Sequence, residues 1–306
     1  MSRKGLRLDG VVLLDKPSGV SSNAALQRVK RLLGAVKAGH TGTLDPLATG
    51  LLPLCFGEAT KFAAGLLDAD KDYEAVVQLG STTSTGDAEG EVTFRGEPIG
   101  VVERIGEILH GLLGPQQQTP PMFSALKHQG RPLYEYARSG QMIERASRQV
   151  MIHELTLLRA SSDELELRVQ VSKGTYIRTL AEAIGERLGC GAHLKALRRT
   201  RVGSFNLAQA VRLDQLEVLT ASERLGWLQR PDLLLDSLPR LDLDGAGTAA
   251  ISQGRPIQVS STQPAGIEGL VRLYDPAGGF LGLGAILIES GEVIPKRLVS
   301  SVTGQA

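Results

Sequence analysis

Three short stretches of this 306-residue chain hold the side chains best suited by type and spacing to do chemistry. The first, AGHTGTLDPLATG at 38–50, carries His40 and Asp45 among three glycines and three threonines. Pro46 pushes Asp45 toward extended backbone and withholds the next N–H. Gly42 and Gly50 admit conformations closed to other residues. Such a loop can present a carboxylate rigidly as a nucleophile or base, although Asp-Pro is also ordinary turn chemistry. The second stretch, KGTYIRTL, places Tyr176 and Arg178 where a strand gives way to a helix. An arginine that pairs a buried carboxylate keeps it ionised and fixes its direction; a core tyrosine and a surface arginine are the bland alternatives. The third, KDYEA, puts Tyr73 at the start of a strand, where a phenol can stack on a flat ligand, move a proton, or simply fill a core.

Rival chemistries are poorly served. Cys55 and Cys190 are the two cysteines, too few for a disulfide framework or a metal cluster, and no second His or Cys stands near His40 at ligand spacing, so no metal is expected. The GxxxxGK[ST] spacing of a phosphate-cradling loop is absent, and the glycine-rich loop runs into the apolar LLPLCFG instead of a capped helix. No nucleotide or other cofactor is therefore expected.

The elements that must position these residues follow from pattern. LDGVVLLDKPSG reads as a buried strand ending in a Pro-Gly turn. SSNAALQRVKRLLG is a helix with Ser and Asn at its start and Gly34 as its stop. EATKFAAGLLDADK and IGVVERIGEILHGLLG read as helices, YEAVVQLG and EVTF as strands. QVMIHELTLLRA and ELELRVQVSKG form two further strands, TYIRTLAEAIGERLG a helix, and AHLKALRRTRVGSF extended chain. The Pro- and Gln-rich stretch 115–145 is a long loop with a short helix near PLYEYARSG, and loops of that length are usually functional or disordered. RPDLLLDSLPRLDLDG reads as a linker, and the Gly-rich tail beyond it as a small all-β unit of barrel type.

Composition is that of an ordinary globular protein, with a formal net charge of +1. No apolar stretch approaches the roughly 18 residues of a membrane span, and the N-terminus lacks the apolar run of a signal peptide. A reduced, cytoplasmic protein is expected. Charge is unevenly spread: 187–213 holds six Lys or Arg and no acid, whereas eight acids gather in 68–97. This suggests a basic face for a polyanion and an acidic face turned away from it; single-signed solvated helix faces are the alternative.

GHTGTLDPLATGLLPLCFGEATK, KDYEAVVQLG, QTPPMFSALKHQGRPLYEYAR and SKGTYIRTLAEAIGERLGCGAHLKALRRTRVGSF together resemble the bacterial TruB family, in order and over nearly the whole chain. That family makes the pseudouridine at position 55 of the tRNA T loop. The resemblance implies an α+β fold: a pseudouridine-synthase-like catalytic domain at 1–240, with a mixed, largely antiparallel sheet flanked by helices and a T-arm-binding insertion at about 115–145. A small PUA-like β-barrel follows at 241–306. It implies Asp45 as nucleophile, Arg178 as its partner, and Tyr73 stacking on the target base and aiding a later deprotonation. It also implies His40 in the space the flipped base leaves, Tyr176 and Leu197 around the flipped nucleotide, and Lys16 and Lys61 at phosphates or at the loop. A monomer acting on the tRNA T arm, without cofactor or membrane, is the expectation. An RNA-binding or RNA-folding module with little catalysis is the alternative.

Overall fold

The computed structural model describes residues 5–258, 269–287 and 289–300. The outer ends of the two expected domains, 1–4 and 301–306, lie outside the described residues. The run GVVLLDK forms β1 (Gly10–Lys16) and is apolar in both phases, so it is covered on both faces. Val12 and Leu14 join the main core, Val11 and Leu13 a second one. Helix α1 (Ser22–Leu32) starts where the Ser21 hydroxyl accepts from Ala24 N–H at 3.2 Å. Strands β2 (Ala38–His40) and β3 (Thr49–Phe56) pair antiparallel, so the Asp45 loop is the tip of their hairpin.

The stretch expected as one helix at 58–71 instead holds a 3-10 turn, Gly57–Lys61, and a short α2 (Ala64–Asp68). Phe62 lies between them, buried, with its ring 5.3 Å from that of Phe280. Strand β4 (Lys71–Leu79) alternates: Tyr73, Ala75, Val77 and Leu79 face the main core. A hairpin of β5 (Ser81–Thr83) and β6 (Val92–Arg95) and helix α3 (Val101–His110) follow.

The insertion is less of a loop than expected. It opens with β7 (Gly114–Gln118), which joins the central sheet, then folds β8 (Lys127–His128), β9 (Arg131–Pro132) and α4 (Leu133–Arg138). Next come β10 (Arg148–Ala160), β11 (Glu164–Val171), α5 (Ile177–Leu188) and β12 (Ala192–Val202). The short β13 (Phe205–Asn206) and β14 (Val211–Arg212) complete a ten-stranded sheet. Its order is β14-β1-β3-β12-β4-β11-β10-β7, with β2 on β3 and β13 on β12. Only β14–β1 and β3–β12 run parallel, so the sheet is mixed and largely antiparallel. Helices α3 and α5 cover the face that Tyr73 shares.

Helices α6 (Leu213–Val218) and α7 (Ala221–Leu225) lead to the expected linker. It is instead packed structure: Pro231–Leu235 is a buried 3-10 turn, and the Tyr274 hydroxyl donates to buried Asp232 at 2.7 Å. Beyond it, β15 (Arg240–Asp242), β16 (Ile257–Gln258), β17 (Gly269–Tyr274), β18 (Phe280–Leu287) and β19 (Glu292–Leu298) form a curled PUA-like sheet, ordered β15-β17-β18-β19-β16. The tail is not all-β. Helix α8 (Gly245–Ser252) starts at Asp244, whose carboxylate accepts from Gly247 N–H at 2.6 Å, and its small residues carry no amphipathic pattern to betray it. Among the described residues no helix is long and apolar enough to cross a membrane.

Candidate active site

The loop between β2 and β3 is pinned at alternate carbonyls. Gly42 O accepts from Arg199 Nη2 at 2.9 Å. Leu44 O accepts from the Ser22 hydroxyl at 2.9 Å, and the same hydroxyl accepts from Leu44 N–H at 2.8 Å. Pro46 O accepts from Gly19 N–H at 2.8 Å and from Lys16 Nζ at 3.4 Å. With the backbone held from β12, α1 and β1, the Asp45 side chain is left to project toward α5. There Arg178 Nη2 meets Asp45 Oδ2 at 3.0 Å.

Arg178 is 4 % exposed and fully engaged. Nη1 donates to Thr85 O at 3.0 Å and Nη2 to Phe123 O at 2.7 Å. A second carboxylate, Asp87 Oδ2, lies 3.6 Å from Nη1. Asp87 is itself buried and accepts from the Thr85 hydroxyl at 2.6 Å and Glu89 N–H at 3.1 Å. The guanidinium is thus aimed by groups from the β5–β6 segment and from the insertion. Burial pushes the Asp45 carboxyl above the usual carboxylate range; Arg178 opposes this, Asp87 adds to it, and Lys16 opposes it. The resulting carboxylate is more basic than one in water, fixed in direction, and yet 38 % exposed. That combination suits a nucleophile open to a ligand.

The other expected site residues fall into two groups. Tyr73 is buried on β4, directly opposite Arg199 in the register. Tyr176 is the half-buried residue before α5, with the Arg148 guanidinium carbon 5.1 Å from its ring centre. Leu197, opposite Ala75, lines with Leu47 and Thr49 a cleft of about 450 Å³. His40 ends β2; burial and then Arg199 lower its pKa, holding the ring neutral, and its Nδ1 is buried without a hydrogen-bond partner.

The two lysines are both held by contacts within the fold. Lys16 is wholly buried, donates to Pro17 O and Val20 O at 2.8 and 2.6 Å, and has its pKa lowered to about 8, chiefly by burial. It reaches the Asp45 loop through Pro46 O at 3.4 Å. Lys61 Nζ is occupied by Glu58 at 2.6 Å, Leu298 O at 3.0 Å and Ser300 Oγ at 3.2 Å, and so ties the 3-10 turn to the C-terminal unit.

Asp87, Arg199 and Ser22 escape a reading of the sequence alone. Asp87 hides in an acidic block that looks like solvated surface. Arg199 sits in LRRTR, which looks like a phosphate patch, although period-two alternation places it on the same face as Leu197. The expected segregation of charge is also corrected. Arg201 binds Asp72 through two contacts of 2.6 and 2.7 Å. Arg198 pairs Asp15 at 2.7 Å, Lys195 pairs Glu164 at 2.5 Å, and Lys173 pairs Asp68 at 2.9 Å. Part of the basic stretch and part of the acidic block thus pair with neighbours within the fold.

Residues 30–177 match the family model described as TruB family pseudouridylate synthase (N terminal domain). Models for the tRNA pseudouridylate synthase B C-terminal domain and the pseudouridine synthase II TruB C-terminal region match 178–235 and 239–299. The tRNA pseudouridine synthase B of Aromatoleum aromaticum is 55% identical over 296 residues, spanning 96% of this chain and 94% of its own. The chain belongs to the TruB family. It is accordingly a pseudouridylate synthase, an isomerase. A second TruB relative, tRNA pseudouridine synthase B of an Azoarcus species, is 54% identical over 97% of each chain. Among solved structures, the archaeal box H/ACA sRNP Nop10-Cbf5 complex contains a chain that superposes with a TM-score of 0.69 at 26% identity, covering 95% of this chain and 86% of that one. An H/ACA RNP bound to a substrate RNA containing 2'-deoxyuridine aligns equally well, at 25% identity over 96% and 86%.

Proposed function

We propose that this protein isomerises uridine to pseudouridine at position 55 in the T loop of tRNA, with Asp45 as nucleophile and a flipped target base. The reaction breaks the N1–C1′ bond, forms C5–C1′, removes the proton from C5 and returns one to N1; there is no net redox change. One ionised, directed carboxylate is the minimum requirement, and the 3.0 Å Asp45–Arg178 pair is the observation that carries the reading. The name its relatives carry, tRNA pseudouridine synthase B, supports tRNA as substrate.

A uridine inside a folded loop must leave its stack before Asp45 can reach it, which costs a few kcal/mol. In this reading the neutral His40 ring stands at the end of β2 to fill the space left behind. Tyr73, Tyr176 and Leu197 receive the base. The catalytic part spans 1–240, the C-terminal unit 241–306, and the insertion grips the T arm. A T-arm minihelix tests substrate and position together. After digestion and nucleoside chromatography, pseudouridine is expected from the hairpin bearing uridine at the target position and not from one with that uridine moved by a nucleotide. Equal product from both would overturn the positional assignment.

A further inference from the structure

The side chain of Gln118, the last residue of β7, is 5 % exposed and clasps the main chain of Tyr176. Its Oε1 accepts from Tyr176 N–H at 2.9 Å, and its Nε2 donates to Tyr176 O at 3.3 Å. A primary amide can satisfy both groups at once because it carries a donor and an acceptor side by side. Tyr176 is extended (φ −99°, ψ 117°) and is the residue from which α5 departs, with no side-chain cap of its own. The clasp therefore fixes two things: the direction of the Tyr176 ring and the starting phase of the helix that carries Arg178 two positions on. Neighbouring contacts act on the same residues. Arg148, paired with Gln118 in the β10–β7 register, lies over the Tyr176 ring. Phe123 O, five residues beyond Gln118, accepts from Arg178.

We propose that Gln118 is a positioning residue for the reaction, holding Tyr176 and the start of α5 so that the root of the insertion sets the geometry of the target-base pocket. The inference rests on Tyr176 lining that pocket. Gln118 itself touches no reacting atom; it acts through Tyr176 and Arg178. A displacement of about 1 Å at such a site can cost on the order of 100-fold in rate. The cost should fall on the chemical step and not on RNA capture, because the clasp is buried.

The test combines single-turnover rates at saturating tRNA with tRNA affinity by filter binding. Gln118→Ala is expected to lower the single-turnover rate by about 10- to 100-fold while changing the dissociation constant by less than about 3-fold. In a Tyr176→Ala background, the same substitution should cost less than it does in wild type, because the share acting through the ring is already gone while the share acting through the start of α5 and Arg178 remains. Gln118→Glu supplies a sharper readout. An ionised carboxylate still accepts from Tyr176 N–H but repels Tyr176 O, whereas the protonated acid restores both bonds. The rate of Gln118→Glu relative to wild type should therefore rise as pH falls. Multiplying single and double effects, a loss confined to affinity, or a pH-independent Gln118→Glu ratio would each overturn the proposal. A wild-type rate for Tyr176→Ala alone would instead remove the pocket assignment on which it rests. Should Gln118→Ala fail to fold, the Gln118→Glu ratio decides.

Discussion

An aspartate that is desolvated and also paired with a buried arginine responds to pH differently from one in water. Burial raises the proton affinity of Asp45 and Asp87 raises it further, with Arg178 pulling the other way. In the proposed reaction the ionised form is the nucleophile, so the single-turnover rate should fall as pH drops through the raised Asp45 pKa, above the 3.8 of a free side chain. Removing the Asp87 charge should move that acid limb to lower pH, even in a slower enzyme. A pH–rate profile of Asp87→Asn whose limb stays put or moves upward would contradict the arrangement. At this scale Asp45, Tyr73, Tyr176 and Arg178 stand out in sequence as reactive types in a glycine-rich loop, at a strand start and at a strand-to-helix transition, while the roles given to them come from the family resemblance. Asp87 and the burial of Lys16 were not. A side chain's exposure depends on what folds over it, and charged residues are read by default as solvated.

The Asp45 loop depends on elements remote in sequence. Ser22, one residue after the cap of α1, exchanges both hydrogen bonds with Leu44 in a buried setting. Ser22→Ala strands a buried N–H and a buried C=O, which costs roughly 1–3 kcal/mol. Urea denaturation should show a loss of that size, and single-turnover chemistry should slow as the loop tip loosens. An unchanged midpoint would show the clamp to be unimportant. Most elements are visible in pattern: the alternation of β4, the apolar run of β1 and the capped start of α1 are local properties. The elements misread from sequence are those set by tertiary packing. The turn Pro231–Leu235 looks like a linker until Tyr274 and the second core close over it, and the first strand of the insertion has an edge of β10 to pair with.

Taken whole, the molecule has a near-neutral pI of 7.8 although it belongs to an RNA-modifying family. The ion pairs resolve the tension. Arg201, Arg198 and Lys195 are paired with Asp72, Asp15 and Glu164, which offsets part of their attraction for a polyanion. Lys127 and Arg138 on the insertion are exposed, and in the proposed reading of the insertion as the T-arm grip they meet phosphate. Each lost phosphate contact lowers the slope of log affinity against log salt by roughly 0.7–0.9. Titrations at several salt concentrations should show that loss for Lys127→Ala and Arg138→Ala and a much smaller one for Arg201→Ala, which should instead lower stability. The opposite ranking would restore the basic stretch 187–213 as the phosphate-facing surface.

The central claim is that Asp45, aimed by Arg178, opens the glycosidic bond. Its most direct test is tritium release from tRNA carrying [5-³H]uridine, with wild type and Asp45→Asn compared under single-turnover conditions. Arg178 keeps Asp87, Thr85 O and Phe123 O in the variant, and a carboxylate with a raised pKa opposes folding when ionised. Asp45→Asn should thus melt no lower than wild type and still bind tRNA. Release of about one tritium per tRNA by wild type and none by the folded, tRNA-binding Asp45→Asn is the predicted result. Release by both proteins, at comparable rates, would contradict it.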